Sequence, residues 1–265
     1  DSSSSRGLGD VYKRQGWDDA LAFTQAADET GIPIILQAGP SCRAHTPIPI
    51  LGKMFRYLAS QTKTNICCHV DHGYTLDECY EGIDSGFTSV MFDGSKLTLK
   101  ENIKISKKIA SRAHKYNISV EGEIGFVGYD NGKISEGTNI EDAVTFANQS
   151  NIDAMAISVG NTHLQTSKKA SIDFNKINLI EAKTKIPLVL HGSSGIPVEQ
   201  RKKLARKTKV AKLNIGTEIR MTFGEALRKN LKNNPKTYDR LQLLKPTIKD
   251  LTKVTKKIIK QIGPN

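Results

Sequence analysis

The chain has 265 residues and is 38% hydrophobic, 25% charged and 6% aromatic, with a formal net charge of +12. That length and balance support one large core and exclude a disordered tail, a collagen-like rod or a disulfide-stapled miniprotein. The charge is uneven: from Arg201 onward there are 19 Lys/Arg against 4 Asp/Glu.

Residues 5–15 (SRGLGDVYKRQ) show neither a helical nor a strand period. They match, residue by residue, the reading-frame translation of a transposase sequencing adapter. Residues 1–15 are therefore expected to be a non-native scar, to be set aside before fold reasoning. From Trp17 on, helix-like and strand-like segments alternate. Residues 17–30 read as a helix with Asp18 and Asp19 in the first turn and Gly31 as its stop. The apolar run 32–38 (IPIILQA) reads as a strand buried on both faces. A helix near 50–63 and a strand at 65–70 (NICCHV) follow. Thr75 and Glu78, then Thr98 and Glu101, have capping-box spacing and open helices to about 85 and 116. Strands at 88–92 and 118–123, a glycine-rich loop to Thr138, a helix at 140–150 and a strand at 154–159 continue the series. It closes with a helix at 174–183, a strand at 186–190, a helix at 198–207, a strand at 211–215 and a helix at 218–231.

Strand–helix alternation predicts a parallel sheet. Seven strands fall one short of a (β/α)8 TIM barrel, and a first strand missing from this chain accounts for the difference. An open doubly wound sheet is the alternative, but no G-x-G-x-x-G follows any strand. The barrel domain is expected over residues 16–240, with a helical extension over 241–265. A barrel lacking one strand has two unpaired edges, so this chain is expected to fold poorly.

Polar residues gather where the strands end. Asp71-His72-Gly73, Asp93-Gly94-Ser95, Glu121 and Glu123, Gly160–His163, His191–Gly195 and Asn214–Thr217 all fall on the C-terminal rim of a parallel barrel, where βα loops build active sites. His72, His163 and His191 on one rim suit a catalytic zinc with an open position. His69 alternates away from Asp71 along its strand and reads as structural. Asp71, Asp93 and Glu123 are open to three roles: orienting the ligands, holding a second cation, or acid/base work. Gly192–Ser194 and Asn214–Thr217 follow the last two strands, where barrels commonly bind phosphate through backbone N–H groups.

The blocks VDHG (70–73), SVMFDGS (89–95), VEGEIG (120–125), AISVGNTH (156–163), LVLHGSSGIP (188–197) and KLNIGTEIR (212–220) resemble, in this order, the class II zinc-dependent fructose-bisphosphate and tagatose-bisphosphate aldolases. The resemblance implies reversible aldol cleavage of a ketose bisphosphate to dihydroxyacetone phosphate and an aldehyde. It gives His72, His163 and His191 to zinc, Asp71 to proton exchange, and Asp93 and Glu123 to a second metal. Gly192, Ser193, Ser194, Asn214, Ile215, Gly216 and Thr217 would bind the substrate phosphate, with a monovalent cation near the zinc. It also implies a phosphorylated-sugar partner and a homo-oligomer, dimer or tetramer.

The chain departs from the family pattern at several points. Leu164 stands where the family usually has glycine. Phe126–Asn131 replaces the acidic mobile-loop pair, leaving Asp130 as the candidate loop acid. A serine often found after the 32–38 strand is replaced within residues 37–41. A non-catalytic sugar-phosphate-binding relative is therefore the second reading. A basic nucleic-acid-binding protein is the third, but no aromatic residues interleave with the lysines, so no nucleic-acid partner is expected. No apolar run approaches a membrane span, so no membrane partner is expected either. Cys42, Cys67, Cys68 and Cys79 lack C-x-x-C spacing and read as free thiols of a reducing, cytoplasmic compartment.

Overall fold

The structure is a computed structural model and describes residues 9–13, 16–129, 135 and 137–263, the first five by backbone alone. The remainder of the segment read as adapter lies outside the described residues, as does Asp130.

In chain order the elements are β1 (Gly9–Lys13), α1 (Trp17–Thr30), β2 (Ile34–Ala38), α2 (Pro40–His45), α3 (Ile48–Ser60), β3 (Ile66–Gly73), α4 (Leu76–Asp84) and β4 (Ser89–Phe92). There follow α5 (Leu99–Ala113), β5 (Ser119–Ile124), α6 (Ile140–Gln149), β6 (Ala154–Ile157), α7 (Phe174–Lys183), β7 (Leu188–Leu190) and α8 (Val198–Lys207). β8 (Val210–Ile215), α9 (Thr217–Asn233), α10 (Arg240–Leu244) and α11 (Thr247–Ile262) complete the chain.

Strands β2 to β8 form a curled, all-parallel sheet in sequence order. β1 pairs with β2 on one side (Asp10 opposite Ile34) and with β8 on the other (Val11 opposite Asn214), closing the barrel. The place of the first strand expected to be missing is thus taken by residues 9–13, which fall within the segment read as adapter, and the two edges expected to be open are paired here. The physical reason is that a parallel ladder is made by main-chain groups. Residues 9–13 meet β2 and β8 through that main-chain pattern.

The helix starts follow their caps. Thr98 accepts from the Glu101 N–H while the Glu101 carboxylate accepts from the Thr98 N–H, the reciprocal box expected. Thr75 also caps α4, but Glu78 accepts from the Tyr74 N–H, one residue earlier. The strands' outward residues, among them Leu36, Cys68, Val70, Val90, Phe92 and Leu190, pack beneath the helices in the main core. α11 is amphipathic, and its Leu251, Ile258, Ile259 and Ile262 join that core. It lies against the alanine-rich face of α1, where Thr252 Oγ1 donates to the Ala22 carbonyl at 3.3 Å. Among the described residues no helix is long and apolar enough to cross a membrane.

The lumen differs from the usual branched aliphatic filling. Met91, Ala156 and Val189 make a small apolar cluster there. Around it, buried Gln37, His69, Asp71, Ser89, Glu121, Glu123, Lys212 and Asn214 line the strands. Buried polar groups need partners, and that requirement fixes the architecture of the rim.

Candidate active site

Along β3, Cys68 and Val70 face the helices, while His69 and Asp71 alternate into the lumen. Continued alternation would turn His72 outward. Instead, His72 adopts φ 52°, and the register with β4 shifts between Val70 and Gly73. This irregularity re-aims the side chain, as bulges beside active sites do, and brings the His72 ring over the rim. A left-handed histidine persists only when its surroundings enforce it. Arg43 of α2 supplies that force: its guanidinium donates to the carbonyls of Ala38 (2.8 Å), His72 (2.9 Å) and Asp71.

One ring nitrogen from each of His72, His163 and His191 lies within 4.8 Å of the others. His72 Nε2 and His191 Nδ1 are 2.8 Å apart. The outer nitrogens of these two rings are tethered to carboxylates: His72 Nδ1 is 2.8 Å from Asp93 Oδ2, and His191 Nε2 is 3.0 Å from Glu121 Oε1. Glu123 Oε2 lies 3.6 Å from His72 Nδ1 and 3.8 Å from His191 Nδ1. His72, Asp93 and Glu123 also offer three donor atoms within 4.8 Å of one another. Asp71, fully buried, has Oδ1 3.9 Å from His72 Nε2 and receives a hydrogen bond from Asn214 Nδ2 at 3.2 Å. The structure thus brings together all six rim candidates expected from sequence.

The electrostatics suit a cation. Burial pushes Asp93 up, but its hydrogen bond to His72, the charge there and its bonds from Ser95 outweigh this and hold it well below the usual carboxylate range. Tyr74, at the mouth, is pushed up to about 12 by burial and by Asp93. Four buried carboxylates (Asp71, Asp93, Glu121, Glu123) gather here, and Lys212 Nζ pairs with one of them, Glu121. Two imidazoles tethered to carboxylates, with their inner nitrogens converging on a third histidine, form the donor set a divalent ion such as zinc takes.

The second group of candidates lies beside this one. Gly192 has φ 64°, and a Cβ there would come within 2.3 Å of the Thr162 carbonyl oxygen, so the close approach of the two loops requires glycine. Asn161 Nδ2 completes the junction by donating to the His191 carbonyl at 3.0 Å. Ser194 Oγ accepts from the N–H groups of Gly216 (3.1 Å) and Glu218 (3.3 Å), joining the β7 loop to the start of α9. A cavity of about 240 Å³ is lined by His72, His163, Ser194, Asn214, Thr217 and Arg220, among others. Two of the expected phosphate contacts differ in kind. Ser193 Oγ donates to the Leu190 carbonyl at 2.9 Å, and the Ile215 side chain packs in the main core, leaving its backbone to the rim.

Several residues escaped the sequence reading. Arg43 and the fully buried Arg201 brace loops from below; Arg201 Nη2 donates to the Ser194 carbonyl and to Glu218, both at 2.8 Å. Arg220 lines the cavity and donates to Thr217 Oγ1 at 3.2 Å. Its place three residues after Thr217, one helical turn on, and its position at the end of the 212–220 block were the available signals. Tyr74 and Tyr129 flank the histidines, the Tyr129 ring 5.0 Å from that of His163. Of the departures from pattern, Leu164 adopts φ 60°, a conformation glycine takes freely.

The curled parallel sheet, the convergent histidines and the loops of small residues set a donor group able to hold a cation beside a small cavity at one rim, the arrangement of a barrel enzyme. The sequence profile of the family described as "Fructose-bisphosphate aldolase class-II" matches residues 13–265. A 6-phospho-5-dehydro-2-deoxy-D-gluconate aldolase of Shouchella clausii is 37% identical over 75% of this chain and 68% of its own. A fructose-bisphosphate aldolase of Staphylococcus aureus is 31% identical over 95% of this chain and 90% of its own. The crystal structure of the YdjI aldolase of Escherichia coli K12 superposes with a TM-score of 0.85 at 24% identity, covering 99% of this chain and 93% of that one, and so shares the fold. The chain belongs to the class II fructose-bisphosphate aldolase family and, with it, to the carbon–carbon lyases.

Proposed function

We propose that this protein is a zinc-dependent aldolase that reversibly cleaves a ketose phosphate to dihydroxyacetone phosphate and an aldehyde. The observation that carries this reading is the meeting of His72, His163 and His191 within 4.8 Å, beside buried Asp71. His72, His163 and His191 would hold the ion, with Asp93 and Glu123 offered to a second one. When bound, zinc would polarise the ketone oxygen and offset the negative charge that grows there as the carbon–carbon bond breaks. Asp71 takes the proton from the hydroxyl on the carbon that becomes the aldehyde. Asn214 Nδ2 donates to Asp71 Oδ1 and so orients the carboxylate. The Gly192–Ser194 loop and Thr217 receive the phosphate of the dihydroxyacetone half through backbone N–H groups and the Ser194 and Thr217 hydroxyls, with Gly216 positioned by its N–H bond to Ser194 Oγ. Arg220, at the same cavity, supplies a fixed positive charge for an anionic substrate group.

Fructose 1,6-bisphosphate is the substrate of the first reading, with tagatose 1,6-bisphosphate as its stereochemical alternative. The naming of the Shouchella clausii relative favours a second, 6-phospho-5-dehydro-2-deoxygluconate. These share a phosphorylated keto end and differ at the far end, which carries a phosphate in the bisphosphates and a carboxylate in the gluconate. Assay of the three with zinc-loaded protein separates the readings by kcat/KM. Chelation is expected to abolish cleavage and zinc to restore it. Asp71→Asn is expected to lower kcat by about 10²–10⁴-fold with the metal retained. Cleavage that survives chelation and His191→Ala would overturn the proposal. Assembly as a dimer or tetramer belongs to the same reading; light scattering measures it.

A further inference from the structure

We propose that Glu121 and Lys212, deep in the lumen, are positioning residues that set the affinity of the metal centre through the His191 ring. The inference rests on the metal-dependent reading above. Glu121 comes from β5 and Lys212 from β8, and both are at least 95% buried. Lys212 Nζ donates to Glu121 Oε2 at 2.5 Å and reaches His69 Nε2 at 3.1 Å. The other Glu121 oxygen, Oε1, is 3.0 Å from His191 Nε2. His69 Nδ1 is in turn 2.8 Å from Ser89 Oγ. The result is an unbroken line of buried contacts, Ser89–His69–Lys212–Glu121–His191, ending in one of the three imidazoles that converge.

The donor inventory orders the protons along this line. An ammonium has only N–H groups to give, so His69 accepts at Nε2 and carries its own proton on Nδ1, donated to Ser89. Glu121, held at Oε2 by Lys212, accepts the His191 Nε2–H at Oε1. The His191 lone pair is then confined to Nδ1, the atom 2.8 Å from His72 Nε2. The carboxylate fixes both the tautomer and the rotation of the ring. Lys212 fixes the carboxylate, preventing Glu121 from turning both oxygens toward the rim and competing there as a ligand.

Energetics argue that the pair does more than fill space. Desolvating a lysine and a glutamate costs several kcal/mol per ion, and well-packed apolar residues of similar volume are often as stable or more so. The usual filling of a barrel lumen is apolar. An ion pair kept at this depth, with one oxygen committed to a rim histidine, is accounted for by its effect on that histidine.

The test is zinc affinity, measured on the full chain by competition with a chromophoric chelator, together with the visible absorption of the cobalt-substituted protein. E121Q and K212M are each expected to bind zinc about 10–100-fold more weakly and to change the cobalt spectrum. The double variant E121Q/K212M is expected to bind no more weakly than E121Q, because Lys212 acts through Glu121. Folded variants that bind zinc within twofold of wild type with an unchanged cobalt spectrum would overturn the proposal, as would additive losses. If the variants do not fold, ¹⁵N-histidine NMR of the wild-type zinc protein decides. The expected result is His191 protonated at Nε2 and ligating through Nδ1; the reverse assignment overturns the proposal. A wild-type protein that binds neither ion would overturn the metal reading itself, and this inference with it.

Discussion

Two residues on the rim take backbone conformations that their side chains resist. His72, at φ 52°, is held there by three carbonyl contacts from Arg43, and the distortion places its ring among the other histidines. Leu164, at φ 60°, is 55% exposed beside the cavity. The left-handed conformation costs a non-glycine residue about 1–2 kcal/mol, partly offset by the greater freedom glycine has in the unfolded chain. Leu164→Gly is therefore expected to raise stability by about 0.5–1 kcal/mol, read as a higher urea midpoint at unchanged slope. A loss of stability would show that Leu164 makes a packing contribution larger than its strain. The glycine pattern of the family was visible in the sequence, but the reason for it, a positive φ, was not.

At the level of elements, the capping boxes were legible because their chemistry is local: side chain and backbone partners lie three residues apart. Thr98→Ala removes the side-chain half of the α5 box, leaving the backbone N–H of residue 98 to the Glu101 carboxylate, and is expected to cost about 1 kcal/mol. Thermal unfolding reads it, and Ser at the same position is expected to restore most of the loss. The short helix α2, which carries Arg43, was not legible. Its six residues, PSCRAH, have no apolar period, and its one indicator is Pro40 at the start. β1 was likewise illegible, since its pairing with β2 and β8 is a matter of main chain and length.

For the whole molecule, the polar lumen sets a pH dependence. His69 is lowered to about 3 by burial and, next, by Lys212 beside it. The unfolded chain takes up a proton at this residue near 6.5, and the folded one only near 3. Between these values the unfolded state binds more protons, so the contribution to stability is lost as pH falls from about 6.5 toward 3. The slope approaches about 1.4 kcal/mol per pH unit, giving a loss of about 2 kcal/mol between pH 7 and pH 5. Urea midpoints of wild type and His69→Gln at both values check this. The variant is expected to show a shallower decline, and equal declines would assign the pH dependence to other groups. His69 was read from its alternation as structural, and the structure gives that role a charge partner 143 residues away.

The sequence by itself determined the order of strands and helices, the parallel sheet they imply, and the chemical types at each strand end. These depend on short-range period, caps and turns, which act within a few residues. It also set out the blocks that mark the family. Only the tertiary structure decided which donors face one another. His72 meets His191 across 119 positions, Asn214 meets Asp71 across 143, and Lys212 meets Glu121 across 91. Contacts of that kind arise when the sheet curls on itself and buried polar groups must find partners inside a space that no local pattern describes.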